Sequence, residues 1–308
     1  MTKYKIAMNK TIVRSTIKAL NQMKRYRIII TDFDTRANIL SIEIKKEWKT
    51  RIKESWIENK QKITAGLVSY FGELHSPMKI NNFVELGDKP LSVIAFHNNF
   101  FEQIRIAFVM GAYYPALTGS CALGERILNH LLLIFREDYK KAPEYKKIYK
   151  KKQVDNWDLL IQVLSAWNVL LPNVATKFGE LKQIRNKAIH FRPETDRNDR
   201  ELALEAINTL RDIISGQFSG WGTHPWFFSI PGEIYIKKEW ENKPFINKVY
   251  LPNCTLVGPY HVVESIVPNW VIKDDYKYDN KEITDEMFCT LRNKFNKGGQ
   301  KVTSQKRN

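Results

Sequence analysis

The stretch RNKAIH, Arg185 to His190, sets a guanidinium, an amide and an imidazole within one and a half turns of a predicted helix. These groups suit cleavage of a phosphodiester by a neighbouring ribose 2′-hydroxyl. An imidazole titrating near neutrality moves the proton, the amide offers hydrogen bonds, and a fixed cation stabilises the phosphoryl oxygens. No metal ion is required for that chemistry. At about 100° per residue, Asn186 and His190 stack as an i, i+4 pair on the polar side of the helix, with Gln183, Lys187 and Glu180. Arg185 falls instead inside the apolar arc of Phe178, Leu181, Ile184, Ala188 and Ile189, where a core leucine would stand. A guanidinium keeps its charge, so this position calls for an anionic or hydrogen-bonding partner or an opening to water. Snorkelling from the edge of the arc is the alternative.

A partner is available on another predicted helix. Between Pro115 and Phe135 the only acid is Glu125, and on the wheel its neighbours are Leu132, Cys121, Leu128 and Ala122. Two opposite charges that each interrupt an apolar face are most simply explained if they meet, because an unpaired buried ion is far costlier. The expectation is hydrogen-bonding distance between Arg185 and Glu125, against the alternative of Glu125 at the bundle's rim. Thr118 and Asn129 share the Glu125 face and extend a polar lining.

RNKAIH resembles the R-x4-6-H signature of the HEPN superfamily, with Asn186 as the polar residue that often follows the arginine. Of the six histidines, only His190 has an arginine five to seven residues upstream, and Pro193 follows it closely. The resemblance covers roughly 91–214 and implies a helical bundle. It also implies a metal-independent endoribonuclease with no cofactor, whose composite site forms when two motifs meet across a homodimer. Carried over by position, Arg185, Asn186 and His190 are the implied catalytic residues, and Glu125 is similar to the acidic helix residue that supports the motif arginine. A role in phage defence, as a toxin or abortive-infection protein held by an antitoxin or released by a trigger protein, is implied by the resemblance alone.

The elements that must position these residues are legible by texture. The 308 residues carry a formal charge of +16, which favours a polyanionic partner, RNA ahead of an anionic membrane. A lysine-rich proteome is the competing explanation. No run of about 20 apolar residues and no signal core is present, and Cys121, Cys254 and Cys289 form no paired framework, so a cytoplasmic location is expected. The expected class is mainly α: a basic α/β segment over 1–90, a HEPN-like helical bundle over 91–216, a small β-rich module with a closing helix over 217–297, and a disordered basic tail over 298–308. In the first segment 25–34 reads as a short strand ending in a turn, followed by a basic helix with Ile44, Trp48, Ile52 and Trp56 in register. In the third, GEIYIKKEW, FINKVYLP and CTLVGPYHVVE read as strands, Thr284 as an N-cap, and Trp221, Trp226, Phe227 and Phe228 as a packing seam rather than a stacking platform.

The loop KKAPEYKKIYKKKQ interleaves Tyr145 and Tyr149 with lysines. Lys146, Lys147, Lys150, Lys151 and Lys152, with Lys187 on the motif helix, are the expected RNA contacts, unless the loop is merely a solvated charged face. Two readings compete with ribonuclease chemistry. A non-catalytic RNA-binding or assembly protein would need the charge but not His190. TDFDT, with Asp32 and Asp34 after a strand, is similar to the metal-binding carboxylates of haloacid-dehalogenase phosphatases and nucleotidyltransferases. It lacks the usual following glycine, and Asp34 also reads as a helix cap.

Overall fold

The computed structural model describes residues 22–29, 32–93, 95–189, 198–222, 224–266, 270–279 and 281–305. The chain is mainly helical, with a small sheet region formed largely by C-terminal residues. It divides into two compact units, one of Ile30–Ser219 and one that joins Met1–Ile29 to Gly220–Asn308. The second boundary falls close to the expected 216. The residues expected as a separate segment, 1–90, are shared between the units.

The helical unit begins with α1 (Arg36–Ser41), α2 (Thr50–Phe71) and α3 (Ser76–Glu85). Ile44 and Trp48, expected inside a helix, lie before α2, because Lys49 takes an extended conformation at its cap. The four-residue spacing nevertheless marks a contact, since the Trp48 and Trp56 rings sit 5.7 Å apart. The bundle follows: α4 (Ala95–Val109), α5 (Tyr113–Phe135), a single turn α6 (Tyr145–Ile148), α7 (Trp157–Ala166), α8 (Pro172–Ile189) and α9 (Asp199–Phe218). Gly111 separates α4 from α5 with φ +83°, a left-handed conformation that a side chain would resist. Helix α5 is central and packs against α4, α7, α8 and α9. Leu117, Cys121, Leu128, Leu132 and Phe135 of α5 are buried with Phe178, Leu181 and Ile184 of α8 and Ile207, Leu210 and Ile214 of α9. Apolar residues three and four apart on each helix thus fill one interior.

In the other unit, β1 (Arg25–Ile28), β2 (Phe227–Ile230), β3 (Glu233–Ile236) and β4 (Cys254–Val257) form an antiparallel sheet in the order β2-β3-β1-β4. Strand β1, read from sequence as part of an N-terminal segment, is an inner strand, with Arg27 opposite Tyr235 of β3 and Thr255 of β4. Strands β5 (Val262–Ser265) and β6 (Val271–Lys273) pair separately. FINKVYLP is not a strand. Ile246–Tyr250 is a π-helical turn and Leu251–Asn253 a 3-10 turn, burying Ile246 and Tyr250, so a short apolar run read as β was helical. Trp226 and Phe227 are buried as the expected seam, whereas Trp221 is exposed. Helix α10 (Asp285–Gln305) is preceded by Thr284, whose hydroxyl accepts from the Met287 amide at 3.2 Å. It continues through much of the stretch expected to be a disordered tail. Phe288 and Arg292 anchor its first turns in the core, and extending a nucleated helix adds one hydrogen bond per residue fixed.

This unit encloses a polar cluster. Glu233 accepts from Arg292 at 2.6 and 2.9 Å and from the Tyr235 hydroxyl, and Arg27 lies 3.4 Å away. Burial alone would raise the Glu233 pKa, but these donors outweigh it and hold it at about 2. Arg27 also donates to His261 Nε2 at 2.6 Å, and since arginine only donates, the ring proton sits on Nδ1, which donates to the Gly258 carbonyl at 2.7 Å. Burial and then Arg292 lower the His261 pKa to about 4. In the helical unit, burial, then His130 and Arg126, lower His97 to about 3.

Both histidines therefore take up a proton less readily folded than unfolded. Between about 4 and the ordinary 6.5, the unfolded chain binds more protons than the native His261 site, so stability rises with pH through that window. Acidification from neutrality is expected to remove stability on the order of 3 kcal/mol at His261 alone. Urea unfolding at a series of pH values, with His261→Gln flattening the acid dependence, checks this.

Candidate functional site

Helices α5 and α8 bring Glu125 and Arg185 together as the sequence reading expected, with Arg185 Nη2 3.2 Å from Glu125 Oε2. The side chains are 27% and 22% exposed, so the pair stands at the edge of a cavity rather than in the core. This answers why an arginine occupies an apolar arc. The arc ends at an opening, and the charge meets both a carboxylate and solvent there.

Two contacts fix the pair, and neither was read from the sequence. The Trp157 indole N–H donates to the same Glu125 oxygen at 3.1 Å, and the Arg185 guanidinium lies 5.8 Å from the Trp157 ring centroid. Trp157 is placed by the start of α7, where the Asn156 side chain accepts from the Leu159 amide at 3.0 Å as an N-cap. The sequence signal available for it was an aromatic residue directly after a capping asparagine. The second device is Gly124, immediately before Glu125. A Cβ there would come within 2.6 Å of Leu181 and 2.9 Å of the Trp157 ring. The missing methyl lets α8 and α7 close on α5, which brings Arg185, one turn after Leu181, to Glu125. Gly124→Val is expected to cost about 3 kcal/mol by overpacking and to separate the pair. Chemical denaturation measures the first effect, and a crystal structure of the variant the second.

The cavity has a volume of about 450 Å3 and is lined by Thr118, Ala122, Glu125, Arg126, Asn129, His130, Lys152, Gln153 and Arg185. Thr118 and Asn129 are the two polar residues expected to extend the lining. Asn129 serves mainly as a staple, accepting from the Val154 amide at 2.9 Å and donating to its carbonyl at 3.1 Å. That clamps the end of the basic loop to α5 and sets Lys152 and Gln153 at the cavity rim. The loop is held further by the Lys151 carbonyl, which accepts from Arg136 at 2.8 Å, and by buried Ile148 of α6.

Lys146, Lys147, Lys150, Lys151 and Lys152 are all exposed, and only Lys152 among them lines the cavity. Tyr145 and Tyr149 stand 5.9 Å apart, with Tyr149 exposed beneath the Lys150 ammonium at 5.2 Å. Lys187 is exposed on α8, and Asn186 is half-buried there without lining the cavity. His190 lies outside the described residues.

His130 and Arg126 were not singled out by the sequence reading, although His130 lines the same cavity as Arg185. Its ring centroid is 5.4 Å from that of His97 on α4. Burial and then Arg126 lower its pKa below the ordinary histidine value.

Asp32 and Asp34 are each engaged by a cation. Lys89 lies 2.5 Å from Asp32, and Arg36 donates to both Asp34 oxygens at 2.8 and 2.9 Å. Asp34 also accepts from the Arg36 amide at 3.0 Å, close to the capping role expected, with Thr35 at the N-cap position itself. Among the described residues, no group of three or more His, Cys, Asp or Glu side chains is placed to hold a metal ion. No described helix is long and apolar enough to cross a membrane. No protein-family model, curated protein or solved structure matches the chain.

Proposed function

We propose that this chain is a metal-independent endoribonuclease of the HEPN type, cytoplasmic, acting on RNA as a homodimer. The observation that carries the reading is the Arg185–Glu125 pair at the edge of a cavity whose rim is set by the end of a lysine-rich loop. Glu125 and Trp157 hold the guanidinium at the opening, so its remaining donors are preorganised for phosphoryl oxygens. Lysines 146 to 152 supply the sequence-independent part of RNA binding, with Tyr149 as a stacking surface and Lys187 as a further phosphate contact on α8. His190 and Asn186 act on the proton and the ribose, following the resemblance of RNKAIH to the superfamily signature. Attack by the 2′-hydroxyl leaves a 2′,3′-cyclic phosphate and a 5′-hydroxyl, and DNA is spared for want of the nucleophile. Control by an antitoxin or a trigger protein, in a phage-defence setting, belongs to the same proposal.

The test is incubation of labelled RNA with the purified protein in EDTA, with the end groups identified. Wild type is expected to cleave and His190→Ala to lose cleavage while keeping most of its RNA affinity, since binding rests on the lysines. Light scattering is expected to give a dimer. RNA binding without cleavage under any condition supports the non-catalytic reading, which the exposed lysine loop also favours. Magnesium-dependent cleavage that requires Asp32 and Asp34 rejects this mechanism.

A further inference from the structure

The α5 wall of the cavity carries a second arginine and a second imidazole. Arg126 and His130 are one helical turn apart, on the flank of α5 next to the Glu125 face, and both line the cavity that Arg185 lines. Arg126 is exposed, and its guanidinium lies 4.9 Å from the Phe100 ring centroid, so an aromatic face on α4 supports it. His130 is half-buried and backed by the His97 ring.

We propose that the scissile phosphodiester sits in this cavity against Arg126, and that His130 accepts the proton of the attacking 2′-hydroxyl. The proposal rests on the ribonuclease reading above and adds two residues to it. Arg185, already engaged by Glu125, forms the opposite wall, and Lys152 closes the rim.

In the step, neutral His130 takes the hydroxyl proton as the O2′–P bond forms. As the P–O5′ bond breaks, the leaving 5′-oxygen takes a proton from water, and the His130 imidazolium returns its proton to the hydroxide so formed, so no water is consumed in the cleavage itself. A base needs a neutral imidazole at the working pH. The charged groups that line the cavity with His130 are Glu125 and Arg126 on α5, Lys152 on the loop and Arg185 on α8, and the His97 ring of α4 lies beside it. Desolvation and the nearby Arg126 charge both favour the neutral ring.

Binding and cleavage are measured separately on the full chain in EDTA. The binding probe is uridine 3′-monophosphate, followed by calorimetry, and cleavage of labelled RNA is followed from about pH 5 to about pH 9. Arg126→Gln is expected to weaken the nucleotide about tenfold or more, with Arg126→Lys recovering part of it. His130→Gln is expected to bind the nucleotide within about threefold of wild type while cleavage falls about a hundredfold. The acidic limb of its pH–rate profile should also disappear. Thermal melting confirms that both variants are folded. Wild-type binding and cleavage in Arg126→Gln and His130→Gln would overturn the proposal, as would a His130→Gln profile that is lower but unchanged in shape. Nucleotide binding through Arg126 by a wild-type protein that cleaves no RNA supports the anion site, and overturns both the ribonuclease reading and the role given to His130.

Discussion

Arg185→Ala is expected to reduce RNA cleavage by at least about a hundredfold, the scale seen when a preorganised donor to a developing charge is removed. The substitution also leaves Glu125 with the Trp157 indole as its one close donor among the described residues. Both partners are about a quarter exposed, so water repairs part of that loss. The stability cost should be about 1 to 2 kcal/mol, below the roughly 3 to 5 of a fully buried broken pair. Arg185→Lys separates charge from geometry. An ammonium keeps the charge but cannot hold a carboxylate and a phosphoryl oxygen along fixed directions, so cleavage should stay well below wild type. Quantitative gel assays at saturating RNA, alongside urea denaturation, read both effects.

The largest expected effect on stability lies in the other unit. Glu233 is the carboxylate between Arg27 and Arg292, and all three side chains are nearly buried. Glu233→Ala would leave two guanidinium groups facing each other with no anion between them, at a cost of about 3 to 5 kcal/mol. Glu233→Gln keeps an acceptor and should cost less. Because the folded pKa of Glu233 is depressed to about 2, its contribution is complete above its ordinary value near 4.5 and is lost as pH falls through 2. Unfolding followed by Trp226 and Trp240 fluorescence should show the alanine variant losing this unit first.

The helices around the site were legible because each buries one stripe. Apolar residues at three- and four-residue spacing mark the faces that α5 and α8 bury. The Arg185–Glu125 contact was legible for a related reason, since each charge stands where its helix should be apolar. Arg126 and His130 left no such mark. They lie on a shoulder of α5 where polar residues are ordinary, and a search for arginines upstream of histidines by five to seven residues passes over a pair four apart. The 246–253 stretch misled because a short run of Ile, Val and Tyr fits a strand as well as a buried turn. The placement of β1 was beyond any local pattern, because its partners are on β3 and β4, far along the chain.

That placement has a consequence for how the protein is made. A ribosome extends a chain at about 5 to 20 residues per second, so β1 leaves the exit tunnel roughly 10 to 40 seconds before the strands that flank it. In that interval the bundle from α4 to α9 can close on its own contacts, whereas β1 offers two unsatisfied edges to any passing strand. Arg25 and Arg27, whose carboxylate partners Asp285 and Glu233 also come late, keep the waiting segment charged and solvated. The same two residues that lock the finished sheet thus also put two positive charges on the waiting strand, which disfavour its pairing with another edge.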